Sequence, residues 1–359
     1  MNAVREALNE VDPSIIIYGE GWAAGDSTLL DYEKALKTNT SKLNGIAAFS
    51  DDIRDTLKGN VFDELDNGFV SGKEGLENDV RYSVVGATSH EQVDYDSYKM
   101  SDGAWSPSPS QTINYVSCHD NYTLWDKLAV SNAEDTVEDR VKMNKLASAI
   151  VFTSQGIPFI QAGEENLRSK PLGDGTYSSI SYNLSDEVNS IKWDDLKENQ
   201  DVYNYYKGLI AFRKAHGGLR MSTTEEVQNN LTFVDGLDAN VVAYTIDNSP
   251  NGEISESLYV VYNANKESVK LTLPEGNWNV YVNGEKAGTE SIDTVSGEIE
   301  VSGISAMVLA KGTTSSAQTS ASSIISSANI VIMMMIVVVL FLAVAITVVV
   351  VRKHKTSKK

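Results

Sequence analysis

The chain has 359 residues, enough for more than one domain and a sizeable core, and a formal net charge of −19. That charge excludes a nucleic-acid partner, whose phosphates it would repel, whereas a neutral polysaccharide would be indifferent to it. The single cysteine, Cys118, excludes an intrachain disulfide or a cysteine-built metal cluster, and its apolar surroundings in sequence predict a buried, inert thiol.

Residues 1–11 read as an amphipathic helix with Val4, Ala7, Leu8 and Val11 on one face, and no secretory signal precedes it. The apolar run Ile15-Ile16-Ile17 leads into Tyr18-Gly19-Glu20-Gly21-Trp22, which sets a carboxylate at the mouth of a buried strand. The flanking glycines permit a sharp turn, and Trp22 offers a flat apolar face of the kind on which sugar rings stack. Residues 45–49 read as a second strand and 51–58 as a helix burying Ile53 and Leu57. Residues 59–110, rich in Gly, Ser and Asp, are predicted to be an irregular insertion. The aspartates of 51–66 read as a solvated acidic face; they offer hard oxygen ligands to calcium but no recognisable loop spacing.

A third strand is expected at 113–118, ending in His119-Asp120-Asn121, then a helix at 135–155 stopped by Gly156, and a fourth strand at 157–160. A last helix carries Val202, Tyr206, Leu209, Ile210 and Arg213 and stops at Gly217-Gly218. Four β/α units predict a parallel sheet, half of an eight-stranded barrel that normally needs roughly 250 residues. Half a barrel leaves two open sheet edges.

From 219 to 312 the pattern changes to short strand-like runs between turn clusters, which predicts an antiparallel β-sandwich. Residues 313–329 read as a Ser/Thr-rich stalk. Residues 330–351 contain no charged side chain and are long enough to cross a bilayer as one helix. Arg352, Lys353, Lys355, Lys358 and Lys359 follow, so 352–359 is expected as a cytoplasmic tail and the preceding domains outside a cell membrane. An exterior domain without an export signal leads to the expectation that this is the C-terminal part of a longer protein.

Two separated strand-end carboxylates, one beside a tryptophan and one beside a histidine, point to glycoside chemistry. The Tyr18–Trp22 segment together with residues 114–128 resembles type I pullulanases, of the α-amylase superfamily (glycoside hydrolase family 13). Residues 156–165 are similar to that superfamily's eighth-strand motif, and 182–193 to the loop after it; the resemblance extends over residues 1–312. It implies that 1–218 is the second half of a (β/α)8 TIM barrel, strands 5–8, followed by the sandwich at 219–312. It implies a retaining hydrolase of α-1,6 bonds in α-glucan; the residues themselves present no recognisable cofactor or metal site, calcium being the one metal the acidic stretch leaves open.

By the same resemblance Glu20 is the general acid/base, a role that needs a pocket keeping the acid protonated near neutral pH. Asp120 is implied to stabilise the transition state and His119 to bind hydroxyls of the sugar being cleaved. Trp22, Asn121, Tyr182 and Asn183 are candidate substrate contacts. Glu164 is expected to brace the barrel end, and Trp125 and Trp193 to pack in the core or rim. A retaining enzyme also needs a nucleophilic carboxylate about 5 Å from the acid. In the family this is an Asp on the fourth strand, expected upstream of Met1, so the chain is expected to be inactive alone. Two alternatives stay open: another superfamily member, such as an isoamylase or α-1,4-acting enzyme, and a non-catalytic surface glucan-binding remnant.

Overall fold

The computed structural model describes residues 1–98, 103–248 and 255–312. Helix α1 (Asn2–Val11) is tied to the strand after it by Arg5, a buried guanidinium that donates to the Ile15 carbonyl. Four parallel strands follow: β1 (Ile17–Gly19), β2 (Ile46–Ser50), β3 (Thr112–Asn114) and β4 (Ile157–Pro158). They lie side by side in chain order, with Ile17 opposite Ile46, Ala48 opposite Thr112 and Ile113 opposite Ile157. Strands β1 and β4 are the two edges of this sheet. The run expected as a strand over 113–118 pairs only as far as Asn114. Beyond it the chain leaves the ladder and enters the loop that carries His119 and Asp120.

Helix α2 (Asp51–Lys58) starts at Ser50, whose hydroxyl accepts from the Ile53 amide, and ends at Gly59 (φ +89°). A Cβ at Gly59 would lie 2.1 Å from the Asp66 carbonyl oxygen, so the helix end and the following loop require glycine there. The stretch 59–110 is less irregular than expected, because α3 (Glu77–Val84) runs through it and buries Val80, Tyr82, Ser83 and Val84. The aspartates of 51–66 are not a solvated face either. Asp52 is wholly buried and accepts from Trp105 Nε1 (2.7 Å), the Tyr98 hydroxyl (3.0 Å) and Lys37 Nζ (3.1 Å).

Helices α4 (Leu124–Ser131) and α5 (Val137–Thr153) each begin on a threonine cap, Thr123 and Thr136. Two short helices, α6 (Asp186–Asn189) and α7 (Asp195–Glu198), precede α8 (Gln200–Ala215) and α9 (Thr224–Asn230). The chain then turns all-β: β5 (Leu231–Phe233), β6 (Val241–Asp247), β7 (Ser257–Asn263), β8 (Val269–Thr272), β9 (Trp278–Val282), β10 (Asp293–Val295), β11 (Glu298–Val301) and β12 (Ser305–Lys311). Six of these form an antiparallel sheet in the order β10-β9-β12-β7-β6-β5, and β11 pairs with β8 in a second, two-stranded sheet.

Side chains alternate along the large sheet with the strand period of two. Tyr244, Val260 and Tyr262 join the core of α5 and α8, whereas Ala243, Tyr259 and Val261 pack with Leu271, Ile299 and Val301 of the small sheet. The helices of the parallel sheet and the β-region therefore share one core. Hydroxyls join them as well: Thr153 Oγ1 lies 2.5 Å from the Tyr262 hydroxyl, and Tyr244 donates to the Thr153 carbonyl (2.8 Å). The buried Arg213 donates to the carbonyls of Phe152, Ser154 and Gly156, closing the α5-to-β4 turn. The expected stalk (313–329), spanning helix (330–351) and tail (352–359) lie outside the described residues. Among the described residues no helix is long and apolar enough to cross a membrane.

Gly208 of α8 gives this shared core a direct test. Helix propensity alone favours alanine there by roughly 1 kcal/mol. An added Cβ would, however, sit 1.9 Å from the Ala287 carbonyl oxygen in the β-region. Gly208→Ala is expected to lower stability by about 1–3 kcal/mol in urea unfolding, as overpacking does. A midpoint equal to or above wild type would show that the two regions do not meet this closely.

Candidate active site

The C-terminal ends of the four parallel strands each contribute one aromatic ring: Tyr18 from β1, Phe49 from β2, Tyr115 just after β3 and Phe159 just after β4. Phe49 lies edge-on to the other three, at centroid distances of 5.6 Å (Tyr18), 4.8 Å (Tyr115) and 5.1 Å (Phe159). These rings floor a cavity of about 830 Å³. Glu20, Trp22, His119, Asp120, Asn121 and Tyr182 all line it; Asn183 is exposed and is not among the lining residues.

Glu20 follows β1 directly, and its turn depends on Gly21 (φ +80°), where a Cβ would meet that of Ala48 on β2 at 2.9 Å. The return of this loop is fixed by Lys37, whose amide donates to the Gly21 carbonyl (2.5 Å). The Lys37 ammonium reaches Asp51 (2.5 Å) and Asp52 (3.1 Å) and lies 5.6 Å from the centre of the Trp105 ring. Burial alone would lower the Lys37 pKa, but Asp52 and Asp51 outweigh it and hold the amine above its ordinary value.

His119 and Asp120 stand in the loop between β3 and α4. Their side chains are 78% and 63% exposed, with Nε2 3.5 Å from Oδ2. One ligand atom each of Glu20, His119 and Asp120 lies within 4.8 Å of the others, a gap that a sugar's ring oxygen and hydroxyls could fill. Among the described residues this is also the group of His and carboxylate side chains close enough to share a cation; the aspartates of 51–66 form no such group.

Three features of the site were not read from the sequence. Phe62 lines the cavity and is 88% exposed. Its loop is held by Lys127, whose ammonium donates to the carbonyls of Asn60 (3.2 Å), Asp63 (2.6 Å) and Glu64 (2.9 Å). Cys118 was expected buried, yet it is half-buried and lines the cavity, because the chain turns outward after β3. Of the two tryptophans expected to pack in core or rim, Trp125 packs against the core, whereas Trp193 is 72% exposed.

Beneath the loop lie two buried ionisable groups, Lys58 and Glu164. Burial pushes the Glu164 carboxyl up to about 7, against the opposing pull of the Ser117 hydroxyl, the Lys58 charge and the Tyr206 hydroxyl. Burial likewise brings the Lys58 ammonium down to about 7, aided by Arg54 and opposed by Asp55, Glu164 and Cys118. Folded Glu164 binds its proton more tightly than the unfolded chain does. Its contribution to stability is therefore complete below the ordinary value of 4.5 and is lost as pH rises through about 7. Glu164→Gln is expected to remove that component, changing the slope of unfolding free energy between pH 5 and 7 by up to about 1.4 kcal/mol per pH unit. Identical slopes for variant and wild type would contradict the raised carboxyl.

Taken together, the chain combines a parallel α/β sheet, whose strand ends carry two carboxylates and a histidine over an aromatic floor, with an antiparallel β-region. The chain is homologous to pullulanases. A family profile described as "Pullulanase, all-beta domain" matches residues 227–286. The pullulanase of Bacillus subtilis (strain 168) is 30% identical over 272 residues, covering 76% of this chain and 36% of that protein. The structure of the pullulanase from Bacillus acidopullulyticus is similar with a TM-score of 0.77 at 37% identity, covering 86% of this chain and 36% of that one. The pullulanase of Paenibacillus barengoltzii, solved in complex with maltohexaose and alpha-cyclodextrin, gives a TM-score of 0.74 at 37% identity, covering 87% of this chain and 46% of that one. The chain thus spans about a third to a half of the length of these relatives.

Proposed function

We propose that this chain forms the acid-bearing half of a retaining debranching site that cleaves α-1,6 bonds in pullulan-like or branched α-glucans. The observation that carries the reading is the convergence of Glu20, His119 and Asp120 over the floor of aromatic strand-end residues. Glu20, on the tight turn after β1, is the proton donor to the leaving oxygen and later the base that activates water. Asp120 and His119 grip the sugar hydroxyls and favour the flattened, positively charged ring of the transition state. Trp22 and Tyr182 supply apolar faces at the rim. Structures of the Paenibacillus barengoltzii pullulanase in complex with maltohexaose and maltotetraose support a glucan ligand.

The open edges at β1 and β4 support completion of the barrel by further β/α units, which would also bring the nucleophilic carboxylate. On this reading the 359-residue chain does not turn over glucan by itself. The uncharged run at 330–351 and the basic residues after it support attachment of the domain to the outer face of a cell membrane.

Reducing-sugar release from pullulan tests the assignment, using the chain alone and the chain extended with the N-terminal portion of a homologous pullulanase. No turnover is expected from the former and turnover from the latter, reduced by about 10²-fold or more in Glu20→Gln. The close approach of Glu20 and Asp120 supplies a second reading, in which Asp120 itself attacks the sugar. Turnover by the chain alone, abolished equally by Glu20→Gln and Asp120→Asn, would select it. Failure of both proteins to bind or cleave any glucan would overturn the debranching assignment.

A further inference from the structure

We propose that two buried side chains, Lys58 and Glu164, position the loop carrying His119 and Asp120 from its two ends, so that both belong to the site although they lie beneath it. The proposal rests on the glucan-site reading above for its functional meaning, and on geometry for its mechanism. Lys58 ends α2 and is 1% exposed, yet it lines the cavity. Its ammonium points to the Tyr122 carbonyl (3.4 Å), at the far end of the loop. Glu164, 4% exposed, follows β4 and accepts from the Ser117 hydroxyl (2.6 Å), at the near end. The loop is thus held at each end by a buried ionisable side chain, one on α2 and one after β4, with Cys118, His119, Asp120 and Asn121 raised between.

The surroundings make both groups expensive as purely structural devices. Lys58 also faces Arg54 and Asp55 on its own helix and Cys118 on the loop. The Tyr206 hydroxyl lies between Glu164 (3.2 Å) and Asn144 Oδ1 of α5 (3.0 Å), its one proton going to either of them. Burying an ionisable group costs free energy that an apolar residue of similar volume would not, so stability alone does not account for the two groups placed here. The loop has its own reason to need a brace. Asn121 is held at φ +63°, and the His119 and Asp120 side chains are mostly exposed. Lys170 also supports the loop, through the His119 carbonyl (3.5 Å) and the Ser181 hydroxyl (2.6 Å), and Tyr122 donates to Glu64 (2.9 Å); Lys58 and Glu164 hold the two ends.

Cys118 provides a reporter that does not depend on sugar chemistry. It is the chain's single cysteine and sits in the braced segment. The experiment uses the full chain with three variants: Lys58→Met, Glu164→Gln, and the double Lys58→Met/Glu164→Leu, which fills the space with apolar groups. Each is checked for folding by circular dichroism and urea unfolding. Maltotetraose affinity is then measured by calorimetry, and the limiting, pH-independent rate of Cys118 alkylation by iodoacetamide is measured in parallel. Folded variants are expected to bind maltotetraose about tenfold or more weakly, because a displacement of the order of 1 Å at a site suffices for large losses. Cys118 is expected to react several-fold faster, and the double variant to unfold at or above the wild-type urea midpoint. Unchanged affinity, or unchanged alkylation, in variants that fold overturns the positioning role. If Lys58→Met fails to fold, the near-isosteric Glu164→Gln decides by the same criteria. If the wild-type chain binds no maltotetraose, the glucan reading falls, and the alkylation rates alone decide whether the two groups order the loop.

Discussion

The rest of the molecule depends on the burial of one helix on nearly every side. From Met143 to Thr153, every residue of α5 is buried, polar ones included. A helix of this kind cannot lie on a surface; it must be enclosed by neighbouring elements. Here the enclosing elements are α8, the helices of the parallel sheet, and the face of β7 and β12. Each polar side chain on α5 must then find a partner inside. Asn144 meets Tyr206, Lys145 pairs with Asp201 and Thr153 meets Tyr262. These links tie the sandwich to the cavity: Thr153 reaches one way into the β-sheet, and Asn144 reaches the other way, through Tyr206, to Glu164 and Ser117.

Much of this order is written locally, and what is local could be read. Helix α2 runs from Asp51 to Lys58 because Ser50 caps it and Gly59 ends it, and both signals sit within the segment itself. Glu20 was legible because it directly follows the apolar run of β1, the arrangement a strand end produces, whereas Asp120 stands six residues beyond the end of β3, in the loop that follows. Where the determinants lie far apart in sequence, reading stopped. Helix α3 buries Val80, Tyr82 and Val84, a spacing closer to a strand's than a helix's, and what covers them comes from elsewhere in the fold. Asp52 belongs to a run of acids that looks solvated; Lys37, Tyr98 and Trp105 bury it from outside that run. Lys58 and Glu164 reach the same loop from different β/α units, with no motif to announce it.

The cavity divides into two parts with different physical origins. Its floor is made of rings fixed by the strand ladder, each held by its neighbours' edges. Its rim is made of loops whose order comes from single cations: Lys37 for the Glu20 loop, Lys127 for the Phe62 loop, and Lys170 for the segment bearing Ser181 and Tyr182. A lysine satisfying several backbone carbonyls or carboxylates at once gives an irregular loop a defined shape without secondary structure. The exposed aromatic and ionisable groups of the rim thus stand on polar supports, while the apolar floor stands on the sheet.

That division has a consequence for how such a protein can change over generations. Floor positions are coupled through edge-to-face contacts, so replacing Phe49 disturbs the other three rings at once. Rim loops meet the scaffold through a few polar links around one lysine, so a loop can lengthen, shorten or exchange its aromatic residue while the sheet keeps its geometry. Novelty in ligand shape is therefore accessible by small steps at the rim, and the scaffold is the chassis on which recognition can evolve.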